Sequence, residues 1–150
     1  MLNAEWEASV TNRWSVWLLV VLFGSICFAA QRGGEGSSTS GEEFVGVWSG
    51  GWEGAGGSGG FELTLEKGTE RPVIGKVSVT GEPTYKAAFK ALSFAGKKMD
   101  AKYDFPPNEA DAEVVLTATF DGNTATGTWS LRAKANDTEV AAGKWSVTKK

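Results

Sequence analysis

Carboxylates, lysines, tryptophans and two tyrosines are what this chain of 150 residues offers for chemistry, because it has no histidine and a single cysteine, Cys27. That inventory excludes imidazole acid/base catalysis, Ser-His-Asp and Cys-His nucleophilic sites, imidazole or thiolate zinc sites, and haem ligation through His or Cys. Three constellations remain. Asn108-Glu109-Ala110-Asp111-Ala112-Glu113 gathers three carboxylates in one stretch, but its spacing matches no recognised calcium loop, and a solvated acidic turn accounts for it. A glycosidase-type carboxylate pair is formally available from the acidic residues, yet these fall mainly on the outer faces of the predicted strands and nothing marks a pair. Trp48 and Trp52 flank Gly50-Gly51, which on a strand puts two rings on one face around bare backbone. They are read either as a stacking surface for a ring or as a plug at one end of the fold, with a glycine bulge bending the strand. The expectation is therefore a protein that is not an enzyme, with no cofactor and no metal, whose chemistry is recognition.

Charge narrows the partners. Fifteen basic residues against 18 acidic ones give a net charge of -3, which provides no electrostatic reason to expect nucleic acid. The lysine pairs Lys97-Lys98 and Lys149-Lys150 read as solvated faces. Trp14 to Ala30 is uncharged and ends in small residues before Gln31-Arg32-Gly33, as a signal-peptide core does before its cleavage site. Residues 1–30 are accordingly expected to be a signal peptide, cleaved after Ala29 or Ala30, or else a retained membrane anchor. Cys27 after Gly24-Ser25-Ile26 raises lipidation as a third reading, which the bulk of Ile26 disfavours. Each reading exports the rest of the chain to the periplasm or the exterior, and a membrane is a partner only through residues 14–30 if they stay.

A Gly/Ser linker, 31–41, then leads to a domain over 42–150. Beyond it, short segments alternate in polarity with period two between turn residues, the pattern of half-buried antiparallel strands. Eight are predicted: 45–53, 61–66, 73–80, 85–94, 98–105, 111–120, 124–134 and 139–148. The fifth alternates most cleanly, with Met99, Ala101, Tyr103 and Phe105 inward. In the fourth, Tyr85, Ala87, Phe89 and Ala91 are expected inward. Asp121-Gly122-Asn123 predicts a hairpin, Asn136-Asp137-Thr138 a further turn as well as an N-x-T acceptor pattern, and the glycine cluster 54–60 a long mobile loop that could act as a lid. Eight strands without room for crossover helices predict an all-β, eight-stranded antiparallel up-and-down meander barrel after an N-terminal signal or anchor helix, with a β-sandwich as the alternative.

The G-x-W of Gly46-Val47-Trp48, with Gly127-Thr128-Trp129 and Gly143-Lys144-Trp145, resembles the glycine–tryptophan elements of lipocalin-like and avidin-like (calycin-type) barrels. The resemblance implies a fold, and through it an interior able to hold a small molecule; it supplies no binding residues. Lipocalins place an arginine late in the barrel over the first tryptophan, whereas here Arg132 falls on the seventh strand and the last strand has only lysines. Barrels of eight strands are either filled by side chains or hold one small ligand, and the inward mixture of aromatics and alanines suits both. In the hollow case the guest is apolar or amphipathic, and the candidate ligand-binding residues are Trp48, Trp52, Phe61, Tyr85, Phe89, Tyr103, Trp129 and Trp145. In the filled case the domain is structural or contacts an unidentified protein of the cell envelope.

Overall fold

The computed structural model describes residues 40–150, so the signal peptide or anchor expected at 1–30 and all but the end of the linker expected at 31–41 lie outside the described residues. A short 3-10 turn at Glu42–Phe44 precedes nine strands: β1 (Gly46–Gly54), β2 (Gly57–Lys67), β3 (Val73–Val79), β4 (Tyr85–Ala88), β5 (Ala91–Ala95), β6 (Lys98–Asp104), β7 (Ala112–Asp121), β8 (Thr124–Ala133) and β9 (Thr138–Lys149). All are antiparallel to their neighbours in one sheet of order β4-β3-β2-β1-β9-β8-β7-β6-β5. The sheet curls into a half-barrel. Alternate residues fill its concave side, as β7 shows most plainly: Ala112, Val114, Leu116, Ala118 and Phe120 are buried, while the residues between them are not. A single hydrogen-bonded sheet takes the place of the two layers a sandwich requires.

Nine strands form where eight are predicted, because the segment 85–94 divides. Tyr85–Ala88 pairs only with β3, and Ala91–Ala95 only with β6. At the junction two successive amides turn to opposite neighbours: Phe89 donates to the Gly75 carbonyl at 2.8 Å and Lys90 to the Lys102 carbonyl at 2.9 Å. The alternation slips by one residue there, and a one-residue slip exchanges the faces of a strand. Tyr85, Ala87 and Phe89 stay on the core side, but Ala91, expected inward, is exposed, and Leu92 and Phe94 pack inward instead.

The glycine cluster is a hairpin rather than a long loop. Gly54 pairs with Gly57 across a two-residue turn, Ala55 and Gly56, whose φ values of 50° and 79° are both positive, as such a turn requires. Gly57 to Gly60 continue as β2. Glycine is demanded there by Trp52, whose ring lies across that backbone: a Cβ on Gly59 would meet the Trp52 Nε1 at 2.6 Å and the Thr80 carbonyl oxygen at 1.9 Å. The expected bulge at Gly50-Gly51 is also absent, since both residues keep regular partners in β2 and β9; the irregularity falls between Leu131 and Arg132. The Asp121–Thr124 hairpin forms as predicted, with Gly122 at φ 59°.

Candidate functional site

The two ends of the half-barrel are filled differently. Where the chain enters, Phe44 stacks on Phe120 with ring centroids 4.3 Å apart, and Trp48 meets Phe120 edge-on at 5.0 Å. Trp48 is 1 % exposed, and its indole N–H donates to the Phe44 carbonyl at 2.9 Å. Lys149, from β9, places its Nζ 5.3 Å from the centre of the Trp48 ring. Leu63, Met99 and Leu116, each at most 1 % exposed, belong to the same core cluster and pack this end.

At the opposite end, beneath the β1–β2, β3–β4 and β8–β9 connections and the segment joining β6 to β7, the concave side holds a cavity of about 330 Å³. Its walls are Trp52, Phe61, Tyr85, Tyr103, Phe105 and Trp129, with the aliphatic Val79, Val114, Leu131 and Ala141 between them. Glu82, Pro83 and the hairpin turn from Gly54 to Gly57 complete the lining. The rings are held in place by the protein itself. Trp52 donates to the Thr80 carbonyl at 3.0 Å and Trp129 to the Glu53 carbonyl at 3.1 Å, and the two indoles meet edge-on at 5.8 Å. A Cβ on Gly143 would lie 2.6 Å from the Trp129 Nε1, so that glycine admits the ring.

The hydroxyl groups of the wall meet across the seam of the sheet. β4 and β6 are not neighbours in the hydrogen-bonded ladder, yet the Tyr85 and Tyr103 hydroxyls lie 2.9 Å apart in a hydrogen bond. Tyr103 is 1 % exposed. Burial raises its phenol far above the ordinary tyrosine value, helped by the neighbouring Tyr85; burial also raises Tyr85, opposed by its hydrogen bond with Tyr103. Both phenols are therefore neutral across the physiological range.

Of the eight residues expected to bind a ligand, the structure brings five to the cavity: Trp52, Phe61, Tyr85, Tyr103 and Trp129. The other three are framework. Trp48 belongs to the filled end, so it shares a strand face with Trp52 without sharing a site. Phe89 stacks on Tyr103 at 6.0 Å and occupies the space above Gly75. Trp145 packs on Phe61 at 4.9 Å and donates to the Thr128 carbonyl at 3.1 Å. Phe105, Val114, Leu131 and Ala141 were legible as inward residues but not as cavity lining, because period two gives the face and not the height along the barrel. Glu82 and Pro83 carry no signal beyond that of a turn.

The acidic stretch takes another course. Glu113 joins β7 and pairs with Lys90 at 2.8 Å and Lys102 at 3.3 Å, while Asp104 pairs with Lys90 and Lys134, each at 2.7 Å. These lysines hold both carboxyls below their usual range: Lys134 and then Lys90 act on Asp104, and Lys90 and then Lys102 on Glu113, where burial opposes them. Among the described residues no three acidic side chains converge as a metal site would need. Compared with family models, curated proteins and solved structures, the chain finds no match.

Proposed function

We propose that this protein is an exported, lipocalin-like binding module that takes up one small apolar or amphipathic molecule in the hollow end of its half-barrel. The observation that carries this reading is the aromatic-walled cavity of about 330 Å³, within the size range of roughly 300–1,000 Å³ typical of small-molecule sites. Aromatic faces give a guest contact area at little entropic cost, since their rings are already fixed by hydrogen bonds and glycine contacts. The contrast between the two ends supports the same reading: a fold stabilised only by packing gains nothing from leaving one end unfilled. Export follows from the uncharged run Trp14 to Ala30.

The test is a native mass spectrum of the protein purified from its producing cells, recorded beside a denaturing one. A reproducible extra mass that disappears on denaturation is the expected result, and its value identifies the guest. A bare mass from every preparation, together with no uptake of naphthyl probes, refutes the reading and leaves a structural or protein-interaction domain.

A further inference from the structure

The side-chain donors of the cavity wall can be counted. Trp52 and Trp129 each carry one N–H, and both are already given to backbone carbonyls. Tyr85 and Tyr103 carry one O–H each, but a single hydrogen bond between them uses only one of the two protons. Neither hydroxyl makes another hydrogen bond among the described residues. Whichever phenol donates, the other keeps a proton that no group among the described residues accepts. An unmet donor in a largely buried site is costly, more so than an unmet lone pair. Among the described residues no lysine or arginine lines the cavity, and Glu82 is the one carboxylate that does. An anionic group would enter without a counter-charge and beside a like charge, which desolvation penalises.

We infer that the cavity selects ligands bearing an uncharged hydrogen-bond acceptor, such as a carbonyl, ether or ring nitrogen, to take the proton that the Tyr85–Tyr103 pair leaves over. This rests on the ligand-binding reading above. The acceptor sits at the seam between β4 and β6 and the apolar body of the ligand lies against Trp52, Phe61 and Trp129. A fatty-acid-like carboxylate is the wrong guest. Because burial keeps both phenols protonated, the preference persists throughout the neutral and mildly alkaline range.

Three probes of similar shape separate the outcomes: 2-acetylnaphthalene, 2-isopropylnaphthalene and 2-naphthoate, titrated into the full-length protein with tryptophan fluorescence as readout. The double variant Y85F/Y103F keeps both rings and removes both hydroxyls. The ketone-to-hydrocarbon affinity ratio is expected to fall about three- to tenfold in the variant, the worth of one neutral hydrogen bond, with naphthoate the weakest ligand of wild type. An unchanged ratio, or naphthoate binding as tightly as the ketone, overturns the inference while leaving the binding reading intact. Failure of all three probes to bind wild type removes the binding reading itself. Should the variant not fold, infrared spectra of the wild-type complex decide: a donated proton lowers the ketone stretch relative to its value in hydrocarbon, and an unshifted stretch overturns the inference.

Discussion

Truncating one ring at each end of the half-barrel tests the division into a filled and a hollow end. Phe120 is 0 % exposed and touches three aromatic rings, Phe44 at 4.3 Å, Trp48 at 5.0 Å and Phe94 at 6.3 Å. Phe120→Ala leaves a buried void beside these three rings, so both the transfer loss and the cavity loss apply, about 3–5 kcal/mol together. Phe105 is half-buried, meets Tyr85 edge-on at 5.5 Å, and has the existing cavity on its other side. Phe105→Ala enlarges a space already present, and with only part of a side-chain transfer lost the cost is about 1–1.5 kcal/mol. Urea unfolding followed by circular dichroism measures both. With a slope of about 2 kcal/mol/M, the midpoint falls by about 2 M for Phe120→Ala and by about 0.5–0.7 M for Phe105→Ala. Equal shifts, or the reverse order, would refute the assignment of the filled end to Phe120 and of the hollow end to Phe105.

Other perturbations probe the framework and its titrating groups. Gly143→Ala places a Cβ 1.9 Å from the Glu53 carbonyl oxygen, so β1 and β9 must part; a loss of about 1–3 kcal/mol is expected, and a neutral result in the same urea assay would show that the strands separate freely. The chain has only two tyrosines, and both phenols are raised by burial. Their contribution to stability is present below the ordinary value of about 10 and is lost as pH rises above it, because the unfolded chain ionises first. Absorbance at 295 nm should stay flat through pH 10 to 11 and rise only together with unfolding; a smooth rise in the folded protein would contradict the burial of the pair. Glu113 behaves oppositely. Its folded value is depressed by Lys90 and Lys102, so its contribution is present above about pH 4.3 and lost as pH falls through the lower folded value. Glu113→Gln should cost under about 1 kcal/mol at pH 6 and flatten the decline of the urea midpoint between pH 5 and pH 2.5; an unaltered decline would mean that the pairs with Lys90 and Lys102 contribute nothing.

The faces of the strands were legible because a pleated strand alternates strictly. Met99, Ala101 and Tyr103 on β6 and the five inward residues of β7 are buried as their spacing predicts. Turns were legible where their chemistry is local, as at Asp121-Gly122-Asn123 and at Asn136-Asp137-Thr138, where the Asn136 side chain accepts from the Thr138 amide at 3.2 Å. Glycine composition misled at 54–60, because flexibility in isolation says nothing of a tryptophan, Trp52, that lies over that backbone and requires it bare. The segment 85–94 misled for a related reason. Its alternation holds on each half, and only hydrogen bonds to β3 on one side and to β6 on the other reveal that it is two strands.

By itself, then, the sequence determined the class of fold, the inward side of most strands and the chemistry that is ruled out by the lack of histidine. These depend on residue type and on period two, which are properties of neighbours in the chain. Tertiary structure alone decided where space is left. Trp48 and Trp52 stand four residues apart on one strand face, but one is sealed under Phe120 and the other opens on a cavity. Whether a ring fills a volume or borders one depends on what arrives from strands distant in sequence, and so does the meeting of Tyr85 with Tyr103, two hydroxyls joined across a seam by one hydrogen bond.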